Sequence, residues 1–323
     1  MVRIIQFIKD WTLPVAIATG AIIYLFFAFI PALDKASVFF APIFDEMLPL
    51  FMFLVLYVTF CKVDFRGLVP VGWHFWIGFS QVLFVAVIIG IISFFHVTGK
   101  GLILLEAIFT CIICPCATAA AVVTQKLGGD LEEMTSYTFL SNIICAILIP
   151  LCLPLIEKSI NMSFMSAFFL ILYKVCLVLV VPMFLAYFTK HIRFLKRFYR
   201  WVISVKDLSY YLWGCSLLIV SGTTMKNILH ADASVGFLLL IAILVLVVCL
   251  VQFAVGRHIG HYFNSTINAG QALGQKNTAF AIWIAYTYMN PLSTVGPGCY
   301  ILWQNIINSI EIWYCDHTMK RKN

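Results

Sequence analysis

The residues best suited to chemistry lie in two apolar stretches, each of which is interrupted near its middle. In the first stretch, Cys114-Pro115-Cys116-Ala117-Thr118-Ala119 contains a proline, which removes a backbone donor and disfavours helix at the preceding residue. In the second, residues 270–277 include two glycines, two glutamines, a lysine and an asparagine. Polar groups of this kind are costly when they face lipid. We therefore expect two broken helices whose polar residues share a task.

Each break would expose the N-terminus of a second half-helix, where unpaired N–H groups and the positive end of the helix dipole favour an anion. Thr118 and Asn277 lie where these half-helices would begin, as N-caps or as donors to a ligand. Lys276 adds a positive charge, and we predict a substrate site formed by all three. Two alternatives stay open: the breaks are kinks without a site, or Lys276 is structural and pairs with Glu106 or Glu311, both near span ends that reach water.

The composition indicates that these stretches lie in a membrane. Of 323 residues, 63% are hydrophobic and 11% are charged, and the mean hydropathy is +1.00, whereas soluble domains have about 45–50% apolar and about 25% charged residues. A hydrocarbon core of roughly 30 Å needs about 20 apolar residues per helix. Ten such stretches are predicted as spans: Trp11 to Ile30, Val38 to Phe60, Trp73 to Phe95, Leu102 to Gln125, Met134 to Ile156, Phe164 to Phe188, Leu208 to Met225, Val235 to Val255, Ile267 to Met289 and Thr294 to Cys315.

The distribution of basic residues predicts the orientation. Most of the 21 Lys and Arg fall between spans on the side of the N-terminus, and only Lys35, Lys100, Lys158 and Lys226 fall on the other side. Because basic residues collect in cytoplasmic loops, we expect both termini to be cytoplasmic, in the plasma (inner) membrane. The net charge of +7 then reflects topology and does not indicate nucleic acid. The longest polar stretch, Thr189 to Asp207, is expected to lie on the inner lipid surface.

The spacing of the breaks predicts an inverted repeat. Lys276 follows Cys116 by 160 residues, which is about half of the chain. Each break falls in the fourth span of a five-span half, and halves with an odd number of spans insert in opposite orientations. We therefore expect one repeat over residues 1–160 and an inverted repeat over 161–323. Corresponding broken helices in such repeats indicate the central site of a transporter.

Two motif regions resemble the bile acid:sodium symporter family. The family has Cys-Pro-Gly-Gly-Thr-Ala-Ser-Asn, then Val-x-Thr and Gly-Asp, where this chain has residues 114–124, Gly129-Asp130 and Thr138 with Ser141. Its Glu-x-Gly-x-Gln-Asn-Ser-Gly motif aligns with residues 272–279 and its Trp-x-Asn region with residues 303–305, and its Pro-x-x-x-x-Pro region corresponds to Pro291 to Pro297, where one more residue separates the two prolines. The resemblance implies panel and core domains, each assembled from both repeats, with the two broken helices crossing in the core. It also implies organic-anion uptake coupled to two sodium ions.

We expect the sodium coupling to be lost or altered, because most of the matching ligand positions have changed. Those positions are Gln81, Ala120, Ala121, Met134, Thr138, Ala272 and Lys276. Only Gln81 and Thr138 keep oxygen-bearing side chains, whereas sodium needs several hard oxygen ligands. Our hypothesis is that the Lys276 ammonium replaces a sodium ion, which makes transport sodium-independent or proton-linked. No cofactor is expected, and the oligomeric state is left open.

Two other classes of function, a soft-metal carrier and an intramembrane enzyme, are alternatives to an organic-anion transporter. Cys114-Pro115-Cys116 is similar to the intramembrane motif of heavy-metal pumps, but the Asp-Lys-Thr-Gly sequence and the nucleotide domain of those pumps are missing, which leaves a passive soft-metal carrier. For an intramembrane enzyme, the histidines fall in loops or at span ends, and no two acids face each other in a span. We therefore expect an all-α secondary active transporter, not an enzyme, that moves a bile-acid-like molecule or a small carboxylate by alternating access. Lys174, within the sixth span, either lines the cavity or extends towards the membrane surface.

Overall fold

A computed structural model describes residues 12–30, 33–63, 68–156, 163–205, 208–229 and 233–320. This part of the chain is helical, and no β-strand is formed within it. The helices are α1 Thr12–Phe29, α2 Asp34–Lys62, α3 Gly72–Phe94, α4 Gly99–Ile113, α5 Ala120–Lys126, α6 Leu131–Ile156, α7 Phe164–Leu179, α8 Val181–His191, α9 Lys196–Ser204, α10 Leu208–Leu229, α11 Val235–His261, α12 Thr266–Gly274, α13 Thr278–Tyr288 and α14 Val295–Lys320. Short 3₁₀ turns cover Arg193–Leu195 and Pro291–Thr294.

Four helical stretches of the described residues are long and apolar enough to cross a membrane: Gly72–Phe94, Leu131–Ile156, Phe164–His191 and Val235–His261. A shorter apolar helix covers Ala18–Phe29. Many of the large apolar side chains on these helices are exposed, such as Phe94 at 78%, as expected for surfaces that face lipid. The chain is thus an all-α membrane protein. The arrangement of ten spans in two inverted repeats stays a prediction.

Short polar side chains begin several of these helices, because they satisfy N–H groups that have no partner in the first turn. The Asp130 carboxylate accepts hydrogen bonds from the N–H groups of Glu132 (2.8 Å) and Glu133 (2.9 Å) ahead of α6. The Ser234 hydroxyl accepts from the N–H of Phe237 at 3.4 Å ahead of α11. Both elements therefore begin where the sequence provides a cap.

The chain divides into two compact units, each taken from separate stretches of sequence. Unit 1 comprises Met1–Lys62 and Leu177–Ala233, and unit 2 comprises Val63–Cys176 and Ser234–Asn323. In unit 1, α1 packs closely on α10 at Gly20. A Cβ at this position would lie 2.1 Å from the Leu218 carbonyl oxygen, so only a residue without a side chain allows this approach. Unit 2 contains both interrupted stretches, so the candidate site is built within a single unit.

The basic connector between α8 and α10 contains the amphipathic helix α9. Val202 is buried, whereas Phe194 before the helix is 90% exposed and Trp201 within it is 57% exposed. Phe198 stacks on Trp201 with ring centroids 5.8 Å apart. Exposed aromatic rings beside Lys196, Arg197 and Arg200 are typical of a helix that lies in a lipid interface. Of the predicted stretch from Thr189 to Asp207, residues 206–207 lie outside the described residues.

Candidate functional site at the crossing of two broken helices

Both interruptions predicted from the sequence are present. The first separates α4 from α5 over residues 114–119, and the second separates α12 from α13 over residues 275–277. Pro115 accounts for the first break, because it cannot donate a backbone hydrogen bond. At the second break, Gly274 lies against a ring, and a Cβ there would be 2.4 Å from Cγ of Phe253. Only glycine allows the chain to end α12 in this position.

The two breaks cross and hydrogen-bond to each other through their backbones. The N–H of Ala117 donates to the carbonyl of Gln275 at 3.0 Å, and the N–H of Asn277 donates to the carbonyl of Pro115 at 2.9 Å. Cys116 and Lys276 therefore face each other as an antiparallel pair. This pairing satisfies groups that would otherwise be unpaired in an apolar interior, and it explains how non-helical backbone is tolerated at this depth.

Each crossing residue is also held by a side chain from the following long helix. Ser141 of α6 accepts from the N–H of Cys116 at 3.1 Å. Gln304 of α14 accepts from the N–H of Lys276 at 2.9 Å and donates to its carbonyl at 3.3 Å. Tyr300 of α14 donates to the carbonyl of Gly274 at 2.8 Å. The two breaks are thus held by equivalent contacts, one set from α6 and one from α14.

The start of α13 has the character of an anion site. The Asn277 side chain accepts from the N–H of Phe280 at 3.2 Å, so the predicted capping role of Asn277 is confirmed. The N–H groups of Thr278 and Ala279 have no hydrogen-bond partner among the described residues. Both lie at the positive end of an eleven-residue helix. Two donors are therefore available to an anionic group at this end.

Thr118 does not cap the corresponding half-helix. Ala119 is the residue before α5, which has only seven residues, and no side chain caps it. Thr118 is half-buried, and its hydroxyl has no hydrogen-bond partner in the described part of the chain. Because its neighbour Ala117 is bonded to Gln275, Thr118 still lies at the crossing. Its role as a ligand donor stays a prediction.

Lys276 points to the end of the other broken helix. Its side chain is buried, with 1% exposure, and Nζ donates to the carbonyl of Ile112 at 3.1 Å. Nε2 of Gln81 donates to the carbonyls of Ile112 (3.1 Å), Ile113 (3.0 Å) and Cys114 (3.1 Å). The ammonium thus lies at the C-terminal end of α4, where the helix dipole is negative.

The alternative pairing of Lys276 with an acid is wrong. Glu106 is 2% exposed, against the expectation that it reaches water, and accepts from the N–H of Asn290 at 3.2 Å and the Ser293 hydroxyl at 2.5 Å. Glu311 forms an ion pair with Arg257 and accepts from Gln271 Nε2 at 2.9 Å. Both carboxylates bind groups elsewhere in unit 2. The Lys276 ammonium donates instead to a backbone carbonyl, that of Ile112.

Four of the seven positions that the resemblance matches to sodium ligands lie in an apolar cluster. Ala120, Ala121, Met134 and Ala272 are all buried, and they pack with Trp73, Ile77, Cys116, Tyr137, Ala269 and Leu273. We call these residues the apolar cluster. The hydroxyl of Thr138, next to the cluster, donates to the carbonyl of Met134 at 2.9 Å. These side chains do not fit a sodium ion, because they offer no carboxylate and almost no oxygen.

The cysteines at the first break are buried free thiols. Cys114, Cys116 and Cys145 are fully or almost fully buried. Cys145 Sγ donates to the carbonyl of Ile113 at 3.0 Å. Among the described residues, no three His, Cys, Asp or Glu side chains are arranged to hold a metal ion.

Two tethers that the sequence reasoning missed connect the repeats that it predicted. The N–H of Asp130 donates to the side chain of Asn268 at 2.9 Å, and Asn268 donates back to the Asp130 carbonyl at 2.8 Å. In the other half, the N–H of Asn290 donates to Glu106. Asp130 and Asn290 are 160 residues apart, the same spacing as Cys116 and Lys276. The repeated spacing of 160 residues is the sequence feature from which these two tethers could have been predicted.

Lys174 is the other lysine within a predicted span. Its side chain is exposed, and Nζ lies 6.0 Å from the ring centroid of Tyr288. The two residues are in unit 2. Lys174 therefore differs from the buried Lys276 in both exposure and partner.

Comparison with known protein families gives a match over most of the chain. Residues 64–302 match the model of the SBF-like CPA transporter family. The chain belongs to this family. It is therefore an integral membrane protein of a transporter family, similar to the bile acid:sodium symporters as the motifs predicted. A search of curated proteins found no match.

Proposed function

We propose that this protein is a secondary active transporter that moves an organic anion across the membrane by alternating access, without sodium coupling. The observation that carries the proposal is the crossing of two broken helices, which leaves the N–H groups of Thr278 and Ala279 unpaired at the positive end of α13. A carboxylate or sulfonate is the group that such an end favours. The family of the chain supports transport as the activity.

The substrate contacts are proposed to be the α13 N-terminus with Asn277, together with the hydroxyl of Thr118 on the facing break. The backbone bonds between the breaks support this choice, because Asn277 itself forms one of them and Thr118 adjoins the other. Lys276 contributes positive charge close to the same crossing, although its ammonium binds Ile112. The bound molecule is proposed to be a bile-acid-like compound or a small carboxylate.

We propose that the two units serve as the two moving parts. Unit 2 contains both breaks and corresponds to the core domain, and unit 1 corresponds to the panel. The paired contacts at Cys116 and Lys276, and the tethers at Asp130 and Asn290, support ten spans in two inverted repeats, over residues 1–160 and 161–323. Both termini are proposed to face the cytoplasm from the plasma (inner) membrane, where α9 contacts anionic lipid.

The loss of sodium coupling is proposed from the apolar cluster. Relatives that bind sodium are expected to use oxygen ligands at positions where this chain has Ala120, Ala121, Met134 and Ala272. An ion moved into that cluster would lose its hydration without gaining ligands, at a cost of several kcal/mol. A sodium gradient therefore has no site through which to act there.

Uptake into proteoliposomes tests the proposal. Radiolabelled taurocholate and radiolabelled pyruvate serve as probes of the large and small classes, with external sodium or with choline in its place. We expect saturable uptake of at least one class, at equal rates in both salts. Uptake that stops when choline replaces sodium would overturn the sodium-free cycle, and absence of saturable uptake of either anion would contradict the assigned substrate class.

Variants of the proposed contacts test the site. Thr118→Ala and Asn277→Ala are expected to reduce uptake about tenfold or more, because each removes a polar group at the crossing. The matched controls are Thr135→Ala and Asn305→Ala, whose side chains bond within their own helices, to Leu131 (2.7 Å) and Ile301 (2.6 Å). Equal losses in the site variants and in the controls would contradict the site.

A further inference from the structure

The C-terminal end of α4 is buried, and its last carbonyl groups require donors. Ile112, Ile113 and Cys114 are at most 5% exposed. The last carbonyls of a helix have no partner within it and carry partial negative charge. In transporters with broken helices, such half-helix ends are among the groups that coordinate a monovalent cation. The chemistry of this end therefore favours a cation.

The donors that satisfy this end come from α3 and from the break between α12 and α13. Gln81 of α3 provides one amide nitrogen to all three carbonyls, and Lys276 provides an ammonium to the carbonyl of Ile112. We call Lys276, Gln81 and these three carbonyls the lysine clamp. Since Lys276 is buried and Glu106 and Glu311 bind other groups, the helix end is the partner that offsets its charge. The three carbonyls of the clamp are ligands of the kind that bind a cation. The cation at this position, the Lys276 ammonium, is part of the chain itself.

We propose that the Lys276 ammonium occupies a cation position at the C-terminal end of α4 and acts there as a permanent replacement for a dissociable ion. For its role in transport, this inference rests on the sodium-free cycle proposed above. The contact that defines this position, between Lys276 and the carbonyl of Ile112, is formed without substrate and does not depend on transport. Because the charge belongs to a side chain in the break between α12 and α13, it cannot leave the site, and no external cation can be released there to drive the cycle.

A variant that removes the ammonium should make this end depend on an added cation. In Lys276→Ala, the carbonyls keep Gln81 but lose the positive charge, and the deleted side chain leaves space. The purified variant is heated in detergent with sodium chloride, propylammonium chloride or choline chloride at equal ionic strength. Choline serves as the cation too large to enter.

We expect Lys276→Ala to unfold at a higher temperature in sodium or propylammonium than in choline. Occupancy at roughly ten times the dissociation constant shifts the unfolding equilibrium about tenfold, or about 2–4 °C in Tm. Wild type should have the same Tm in all three salts. Lys174→Ala is the matched control, because this lysine is exposed and its Nζ lies near the Tyr288 ring; its Tm should not depend on the cation.

A second variant keeps the test decisive if Lys276→Ala does not fold. Lys276→Gln retains a donor for the carbonyl of Ile112 and lacks only the charge, so it is expected to fold and to show a smaller cation-dependent rise in Tm. Equal Tm values in the three salts for the variant that folds would overturn the proposal. Cation dependence that is equally large in Lys174→Ala would also overturn it.

The outcome separates this inference from the proposed function. The Tm measurement needs neither a substrate nor transport, so it stands even if no anion is taken up. Sodium-independent anion uptake by wild type, combined with a flat cation response of Lys276→Ala, would leave the proposed function intact and overturn only the cation position.

Discussion

The resemblance predicts that the apolar cluster and the lysine clamp correspond to sodium-ligand positions of the related symporters, and the two regions differ in their chemistry. In the cluster, Ala120, Ala121, Met134 and Ala272 fill the space with carbon and sulfur atoms and leave no charge to balance. In the clamp, a charged ammonium and an amide meet three carbonyls. Side-chain ligands disappear by substitution, whereas backbone carbonyls persist in any sequence and still require donors. For a cation position made partly of backbone, we therefore expect another cation to take the place of the ion.

The largest expected effect is the introduction of a charge into the cluster. Met134→Asp places a carboxylate at a position with 0% exposure among apolar side chains, so the free energy of unfolding should fall by several kcal/mol. The volume-conserving control Met134→Leu should cost less than about 1.5 kcal/mol. Thermal unfolding in detergent measures both. Equal stability of the two variants in sodium buffer would mean that the cluster still accepts a cation, and the contrast between the regions would disappear.

A smaller loss is expected when the amide of the clamp is removed. Gln81→Leu leaves the carbonyl of Cys114 without its donor, while Ile112 keeps Lys276 and Ile113 keeps Cys145. A buried acceptor without a partner costs about 1–3 kcal/mol, and we expect a loss of about 2 kcal/mol in the same assay.

The control for this change is the neighbouring Ser80→Ala. Ser80 is only half-buried, and its hydroxyl donates to the Trp76 carbonyl within its own helix, so its removal should change stability by no more than about 0.5 kcal/mol. If Gln81→Leu were as stable as Ser80→Ala, the carbonyl of Cys114 would not need a donor, and the clamp would not be the polar counterpart of the cluster.

Removal of the oxygen next to the cluster should have a smaller effect still. The Thr138 hydroxyl donates to the Met134 carbonyl of its own helix. Thr138→Val should therefore cost at most about 1 kcal/mol and leave anion uptake unchanged in sodium and in choline. A rate that becomes sensitive to the external cation in this variant would show that Thr138 still takes part in an ion site.

The smallest expected effect is that of sodium on the wild-type protein. A site with a dissociation constant of about 10 mM would stabilise the fold by about 1.6 kcal/mol at about 150 mM sodium. Because neither region offers a vacant set of ligands, we expect the Tm to differ by less than about 1 °C between sodium and choline at equal ionic strength. A rise of several degrees in sodium would place an ion in one of the two regions.

Local features made both breaks predictable. Pro115 removes a backbone donor at its own position, Gly274 leaves room for the Phe253 ring at the end of α12, and Asn277 caps the helix that follows it immediately. The same reasoning assigned a capping role to Thr118, which failed because α5 begins after Ala119. A shift of one residue is enough to move a cap, since capping depends on the dihedral angles of a single position.

Long-range contacts were not predictable from these patterns. The sequence offered Lys276 two acids as partners, and hydropathy alone did not indicate that Glu106 is buried against Asn290 and Ser293. Sequence patterns also did not predict the contacts of Gln304 and Gln252. Gln304 accepts from the N–H of Lys276, and Gln252 donates to Tyr300 at 2.9 Å. Helical periodicity identifies a face of a helix but not the element that the face meets.

The sequence by itself determined that the chain lies in a membrane, where its two central helices break, and to which family it is similar, because composition, proline, glycine and motif spacing act locally. Only the tertiary structure decided what the central charge binds. An ammonium in an apolar interior takes the acceptor that packing brings within hydrogen-bond distance, and here that acceptor is the carbonyl of Ile112, 164 residues away along the chain. Local chemistry supplied the lysine, and the crossing of the two breaks selected its partner.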